Sequence, residues 1–296
     1  MVSALVALLL TLASPAVAGP PMRRPCTSIN GSKIDAAYCD AARPLAERVG
    51  SLIAAMTPAE KVTCLSVEKC RVPRLGVGMN WKEALHGLRY ACVNDLKGRD
   101  DPLCPTSFPH AQLLAASWNR SLWGSVGAGI SDEARAWYNI WLSGNSTTLS
   151  HSPNNALSFF APDINLCRDP RWGRCLEVPS ECPALTGEYA MQFIREMQRP
   201  DASGKYRKTL CNAKHWSVYD VEKGADHTAG APNTYDPTTG WPEGGKVYSR
   251  GGFESVVSKQ DLAETFWPQF RAASQGADLA GTMCTYSGEF HVYITL

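Results

Sequence analysis

Short apolar runs alternate along this chain with longer segments of helical period, and that alternation leaves few folds open. The apolar runs are Leu75 to Met79, Ser158 to Ile164, Thr209 to Ala213 and Leu279 to Tyr286. Each is too short for a helix and reads as a buried strand. Between and before them the period changes. Leu45, Val49, Leu52, Ile53 and Met56 recur at helical spacing, and Thr57-Pro58-Ala59-Glu60 then reads as a capping box with proline at the first helical position. Asn119 is placed to cap a long helix through SLWGSVGAGISDEARAWYNI, with Leu122, Val126 and Ile130 on one face. A further helix over 185–198 aligns Leu185, Tyr189, Phe193 and Met197, and another from Ser258 aligns Leu262, Phe266 and Phe270. These stripes are core faces. Strands alternating with helices predict parallel pairing and an α/β fold, either a barrel or an open doubly wound sheet.

With 296 residues, 44% of them hydrophobic, the chain has enough apolar surface for a substantial core, and one large domain is the expectation. The formal net charge is +1 and the basic residues are not gathered into runs, so neither nucleic acid nor an anionic membrane is expected as partner. Residues 1–18 are apolar and end in Ala16-Val17-Ala18, which predicts a secretory signal peptide and a secreted, extracellular product with no membrane span after cleavage. Eleven cysteines at spacings unlike those of zinc sites fit an oxidising compartment, with Cys64–Cys70 and Cys92–Cys104 as plausible local pairs. Sequons at Asn30, Asn119 and Asn145 agree with that route.

The polar residues suited to chemistry stand just after the strands, where α/β proteins keep their sites: Glu83 and His86, the turn RDPRWGRC at 168–175, Lys214-His215, and Tyr286. Arginine forks in such a turn suit phosphates, carboxylates or rows of sugar hydroxyls. Lys214 and His215 leaving a strand together can converge on vicinal hydroxyls of a sugar ring, and Glu83 can accept from others. His86, three residues later, reads as a packing or turn-fixing residue. The Gly/Pro/Asn/Thr-rich segment from Asp220 to Gly252 follows Lys214-His215 and either overhangs the site or is a solvent loop. Gly76-x-Gly78 lacks the third glycine of a dinucleotide fingerprint, and HExxH, GxSxG and GxxxxGK[ST] are absent. No cofactor and no metal ligand set are expected.

The ordered motifs WKEALHG, TSFPHAQLLAASWN, SDEARAWYN, FAPDINLCRDPRWGRCLEVPSECP, NAKHWSVYD, VSKQDLAETFWPQF and GTMCTY resemble the N-terminal barrel domain of the family three glycoside hydrolases. The resemblance runs from about residue 44 to 286 and is greatest to the β-xylosidase branch, which includes xylosidase/arabinofuranosidases. It implies a (β/α)8 TIM-type barrel, incomplete at its C-terminal end, over 44–296, after a signal peptide (1–18) and an extension (19–43). It implies a retaining exo-β-glycosidase that releases xylose from xylo-oligosaccharides, with β-glucosidase as the alternative within the family and a non-catalytic carbohydrate-binding product as the alternative outside it.

Carried over by position, Glu83 would bind hydroxyls at the far edge of the terminal sugar, while Arg174, Lys214 and His215 hold the others. Met283 and Tyr286 would line the pocket, with Tyr286 near the nucleophile. Arg168 and Arg171 would brace the turn through neighbouring acids, and Asp169, Arg171 and Glu177 would form its ion-paired scaffold. Where glucosidase-like relatives have Asp, the longer Glu83 implies a pentose-sized site. Cys182 stands where the family has an acid, which implies a lost ion pair or a new disulfide. The nucleophilic Asp and the acid/base residue match no position here and are expected beyond Leu296, so no catalytic residue is assigned and the chain alone is expected to be inactive.

Overall fold

A computed structural model of the chain describes residues 26, 32–65, 70–78, 81–98, 100–143, 156–170, 172–204, 206–219, 222, 250, 254–255, 257–286 and 288–289. The signal-peptide segment, Asn30, Asn145, Arg171 and most of 220–252 lie outside them. The chain divides after Gly78 into two compact units.

The first unit carries helices α1 (Leu45–Ala55) and α2 (Pro58–Thr63) and a hairpin of β1 (Arg71–Val72) and β2 (Val77–Gly78). The capping box forms as its sequence predicts: Thr57 accepts from the Glu60 backbone, and the Glu60 carboxylate accepts from Thr57 N at 2.8 Å. Disulfides join Cys26 to Cys39 and Cys64 to Cys70. The core is a small cluster of Tyr38, Val72 and Leu75, against which Leu52, Ala55 and Met56 pack. So narrow a cluster can cover only one stripe of α1, and Leu45, Val49 and Ile53 are left exposed. The run 75–79 is not a strand of a parallel sheet. Pro73 opens a 3-10 turn that ends at Leu75, and Gly76 at φ 60° turns the chain into β2.

The second unit holds the parallel sheet. Its strands β3 (Trp81–Glu83), β4 (Ser158–Phe160), β5 (Leu210–Trp216) and β7 (Gly281–Cys284) lie side by side in sequence order and all run parallel. A short parallel pair, β6 (Glu254–Ser255) with β8 (Gly288–Glu289), stands apart from it. The intervening chain supplies α3 (Ala111–Ala116), α4 (Arg120–Ser143), α5 (Pro183–Met197) and α6 (Pro268–Ala277), the last preceded by a helical turn that Ser258 caps. The α/β expectation with a parallel sheet is met. No closed barrel is found among the described residues, whose main sheet has four strands.

Helix α5 packs between α4 and α6. Tyr189, Phe193 and Met197 are buried at the predicted spacing, as are Leu262, Phe266 and Phe270. On α4 the inward face carries Trp123, Val126, Ile130, Ala134 and Trp137, while Leu122 is exposed. Val126 and Ile130 are buried as predicted, and only in the first turn does Trp123 take the core position in place of Leu122, its Nε1 donating to Leu114 O at 2.7 Å. At Gly127 the backbones of α4 and α5 approach so closely that an added Cβ would lie 2.5 Å from Phe193 O.

Candidate functional site

The parallel strands bring Glu83, at the end of β3, and Lys214, on β5, to the same edge of the sheet across β4. Lys214 Nζ donates to Glu83 Oε2 at 2.6 Å; the lysine is 1% exposed. Beside them opens a cavity of about 530 Å³ lined by Glu83, Arg174, Glu177 and Lys214 on one side and by His86, Arg89, Ser107 and His110 on the other.

Arg174 is delivered by the turn between β4 and α5, which a Cys167–Cys175 disulfide closes. Its guanidinium forks onto Glu177, with Nε at 2.9 Å from Oε1, and also reaches Tyr219 Oη at 3.3 Å, His215 Nε2 at 3.4 Å and Asp163 Oδ2 at 3.5 Å. Burial alone would lower the Arg174 pKa, but Glu177 and Asp163 outweigh it and the net shift is upward. Arg168 points elsewhere, its guanidinium lying 4.3 Å from the centre of the Phe266 ring.

His215 is fully buried and held by Asn165. Asn165 Nδ2 donates to His215 O at 2.9 Å, which fixes the amide orientation. Its Oδ1 then accepts from His215 N at 2.8 Å and faces Nδ1 at 3.1 Å. The proton therefore sits on Nδ1, and the Nε2 lone pair faces Arg174. Burial, followed by the charges of Arg174, Lys214 and Arg250, holds the imidazole pKa down to about 2, so the ring is neutral.

Asp163, fully buried, lies with Oδ2 3.4 Å from His215 Nδ1 and with Oδ1 accepting from Asn165 N at 3.2 Å. Burial pushes its pKa up to about 7, against the opposing pull of Arg174 and Lys214. Tyr286 lies against this group with its ring tilted, 5.0 Å from the His215 ring and 5.3 Å from that of Tyr219, and the Arg250 guanidinium stands 3.7 Å from its ring centre. Arg250 also bonds Glu222 at 2.9 Å, and Tyr219 donates to the same carboxylate.

The far wall is set by hydrogen bonds of the loop between β3 and α3. Val93 and Leu103 exchange backbone bonds next to the Cys92–Cys104 disulfide, so the loop closes on itself. His86 Nδ1 donates to Phe108 O at 3.1 Å, the turn-fixing role read from the sequence. Gly87, at φ 137°, passes so close to Thr106 O that no side chain fits there.

No protein-family model matches the chain. It is 35% identical over 257 residues to β-xylosidase/α-L-arabinofuranosidase 1 of Medicago sativa subsp. varia, covering 84% of this chain and 28% of that relative. It is 32% identical over 296 residues to probable β-D-xylosidase 7 of Arabidopsis thaliana, covering 97% of this chain and 34% of the relative. A solved structure of a GH3 exo-β-xylosidase in complex with a xylobiose aziridine activity-based probe matches with a TM-score of 0.64 at 26% identity, over 85% of this chain and 28% of that one. The chain is a β-xylosidase-type N-terminal domain of glycoside hydrolase family three. β-Glucosidase 3B from Thermotoga neapolitana, solved in complex with glucose, shares the fold with a TM-score of 0.52 at 22% identity, over 74% of this chain and 24% of that one. The chain thus spans about a third or less of the length of these family-three relatives.

Of the residues singled out in this family-three sequence, Glu83, Arg174 and Lys214 line the cavity, His215 meets Arg174, and Tyr286 lies against the His215 ring. Met283 is half-buried on β7, in register with Lys214, and is not among the cavity-lining residues. Cys182 is a free thiol, so no new disulfide forms there. Asn165, His110 and Tyr219 were not anticipated, Tyr219 joining the group through Arg174 and the His215 ring. Asn165 orients His215, and the alternation in Asp163-Ile164-Asn165, which puts both polar side chains on one side of an extended segment, was the available signal. His110 forms part of the far wall, its ring 4.2 Å from that of His86.

Proposed function

We propose that this chain supplies the sugar-binding part of a retaining β-xylosidase, in which it grips the terminal xylose of a β-1,4-xylo-oligosaccharide. The observation that carries the reading is the meeting of Glu83, Lys214 and Arg174 at one cavity: fixed donors and an acceptor at the ends of parallel strands suit the alternating hydroxyls of a pyranose. The neutral His215 adds an imidazole behind Arg174. The four strands then form part of a (β/α)8-type barrel, whose site lies at the same strand ends. Four disulfides and the apolar leader support secretion.

Retaining hydrolysis requires two carboxyl groups about 5 Å apart, one free to attack and one to carry a proton. Here Glu83 is paired with Lys214, Glu177 with Arg174, and Asp163 is buried against Arg174 and His215. Each acid positions a cation, so the cleaving carboxylates belong to other sequence of the whole enzyme. Glu83, held inward by Lys214, sets a pentose-sized end to the pocket. Calorimetric titration of the chain with xylose and glucose, beside turnover of nitrophenyl β-xyloside and β-glucoside, tests both statements. Xylose binding without turnover is expected. Turnover by this chain would overturn the assignment of cleavage elsewhere, and glucose bound as tightly as xylose would overturn the pentose selectivity.

A further inference from the structure

Asn119 links α3 to α4 at an exposed corner of the second unit, and its surroundings differ from those of an ordinary helix cap. Its Oδ1 accepts from Leu122 N at 3.1 Å and caps the first turn of α4. That bond turns the oxygen toward the helix and leaves Nδ2, which has no hydrogen-bond partner among the described residues, directed to solvent. The next residue, Arg120, is drawn aside to Glu188 on α5 at 2.8 Å, and Ser121 completes an exposed Asn-Arg-Ser sequon.

The residue before Asn119 is the second observation. Trp118 is 73% exposed and has φ 52°, in the left-handed region that disfavours any side chain. Glycine or asparagine is the usual occupant at such a helix end. A tryptophan here leaves a broad apolar face in water, and Leu122, one turn into α4, is also exposed. An indole face is a good surface for the apolar face of a pyranose ring.

We propose that Asn119 carries an N-linked oligosaccharide whose first sugar lies over Trp118 and shields it together with Leu122. The reaction is transfer from a lipid-diphosphate oligosaccharide by the secretory pathway's transferase. A bond forms between Asn119 Nδ2 and C1 of the first N-acetylglucosamine, the C1–oxygen bond to the diphosphate breaks, and the lipid diphosphate leaves. The displaced amide proton goes to a basic group of the transferase. Capping survives because it uses Oδ1 and the new bond uses Nδ2. The same amide thus caps the start of α4 and anchors the sugar, which places the first ring beside residue 118.

The full chain, secreted from a eukaryotic host, should yield an Asn119 peptide that amidase treatment in heavy-oxygen water converts to labelled aspartate. An Asn119 that is unmodified, whatever the state of Asn30 and Asn145, overturns the proposal. The packing on Trp118 is read separately. Amidase removal of the glycan leaves aspartate at 119, which still caps α4, so the lost sugar contact is what changes. Removal should lower Tm by roughly 2–4 °C in the parent and leave it unchanged in Trp118→Gly, a variant that fits the left-handed backbone without strain. The same drop in both proteins would overturn the packing of the sugar on the indole.

Discussion

Lys214 on β5 donates to Glu83 at the end of β3, at 2.6 Å, spanning the strand between them with one ion pair. The pair is unsymmetrical: the lysine side chain is 2% exposed and the glutamate 31%. Removing the glutamate strands an ammonium with almost no access to water, whereas removing the lysine leaves a carboxylate that can rehydrate. Glu83→Ala should therefore cost about 3 kcal/mol and Lys214→Met only about 1 kcal/mol. Urea unfolding of both variants checks the order, and equal losses would mean that the pair is open to solvent from both sides.

The pH dependence follows from two buried neighbours that shift in opposite senses. The Asp163 pKa rises from 3.8 to about 7 through burial, so the folded state holds its proton where the unfolded chain does not. That contribution is present below pH 3.8 and is lost as the pH rises to about 7. The His215 pKa falls from 6.5 to about 2, again chiefly through burial. Its contribution is present above pH 6.5 and is lost as the pH falls toward 2. Between about pH 4 and 6.5 the two oppose each other. Asp163→Asn removes one of them, so the urea midpoint of this variant should climb more steeply with pH across that window than the parent's. Parallel curves would show that Asp163 is ionised in the folded protein throughout.

What could be read in advance follows from which physical signal dominates locally. The stripes Tyr189–Phe193–Met197 and Leu262–Phe266–Phe270 are buried where their spacing put them, because a helix against a sheet must bury one face. Strand β3 was invisible as a strand: Trp-Lys-Glu has no apolar run, and its order comes from neighbours, with Trp81 stacked on Phe160 at 5.3 Å and Glu83 tied to Lys214. The run 75–79 had the apolar content of a strand, yet Pro73 and Gly76 impose a local turn that composition alone does not weigh. Arg174, Lys214 and His215 were legible as polar residues at strand ends. The proton position on His215 was not, since it depends on an amide fifty residues away.

Arg174 tests the binding assignment. It spans four partners at once, with Nε and Nη2 on Glu177, Nη2 also facing Asp163, and Nη1 toward Tyr219 and His215. A lysine keeps the charge but has one ammonium in place of the planar fork. Arg174→Lys should weaken methyl β-xyloside binding by about tenfold or more, measured by calorimetry, while the far-ultraviolet circular dichroism stays that of the parent. Affinity within about twofold of the parent would remove Arg174 from the binding site.

Two helical glycines give a pair of substitutions that differ only in what stands opposite. Alanine is favoured over glycine inside a helix by about 1 kcal/mol, because glycine has more conformational freedom to lose. At Gly50, in α1, a Cβ would meet nothing within 4 Å, so Gly50→Ala should gain that full increment. At Gly127, in α4, the same Cβ would stand 2.5 Å from Phe193 O, a backbone atom of α5 that no rotamer change can move. Relief requires α4 and α5 to separate, opening the layer that contains Trp123, Tyr189 and Phe193. Overpacking of this kind costs about 1–3 kcal/mol, enough to outweigh the helical gain. Gly127→Ala should therefore destabilise the chain while Gly50→Ala stabilises it, as read from their urea midpoints. A stabilising Gly127→Ala would mean that the two helices lie farther apart than the close approach at Phe193 requires.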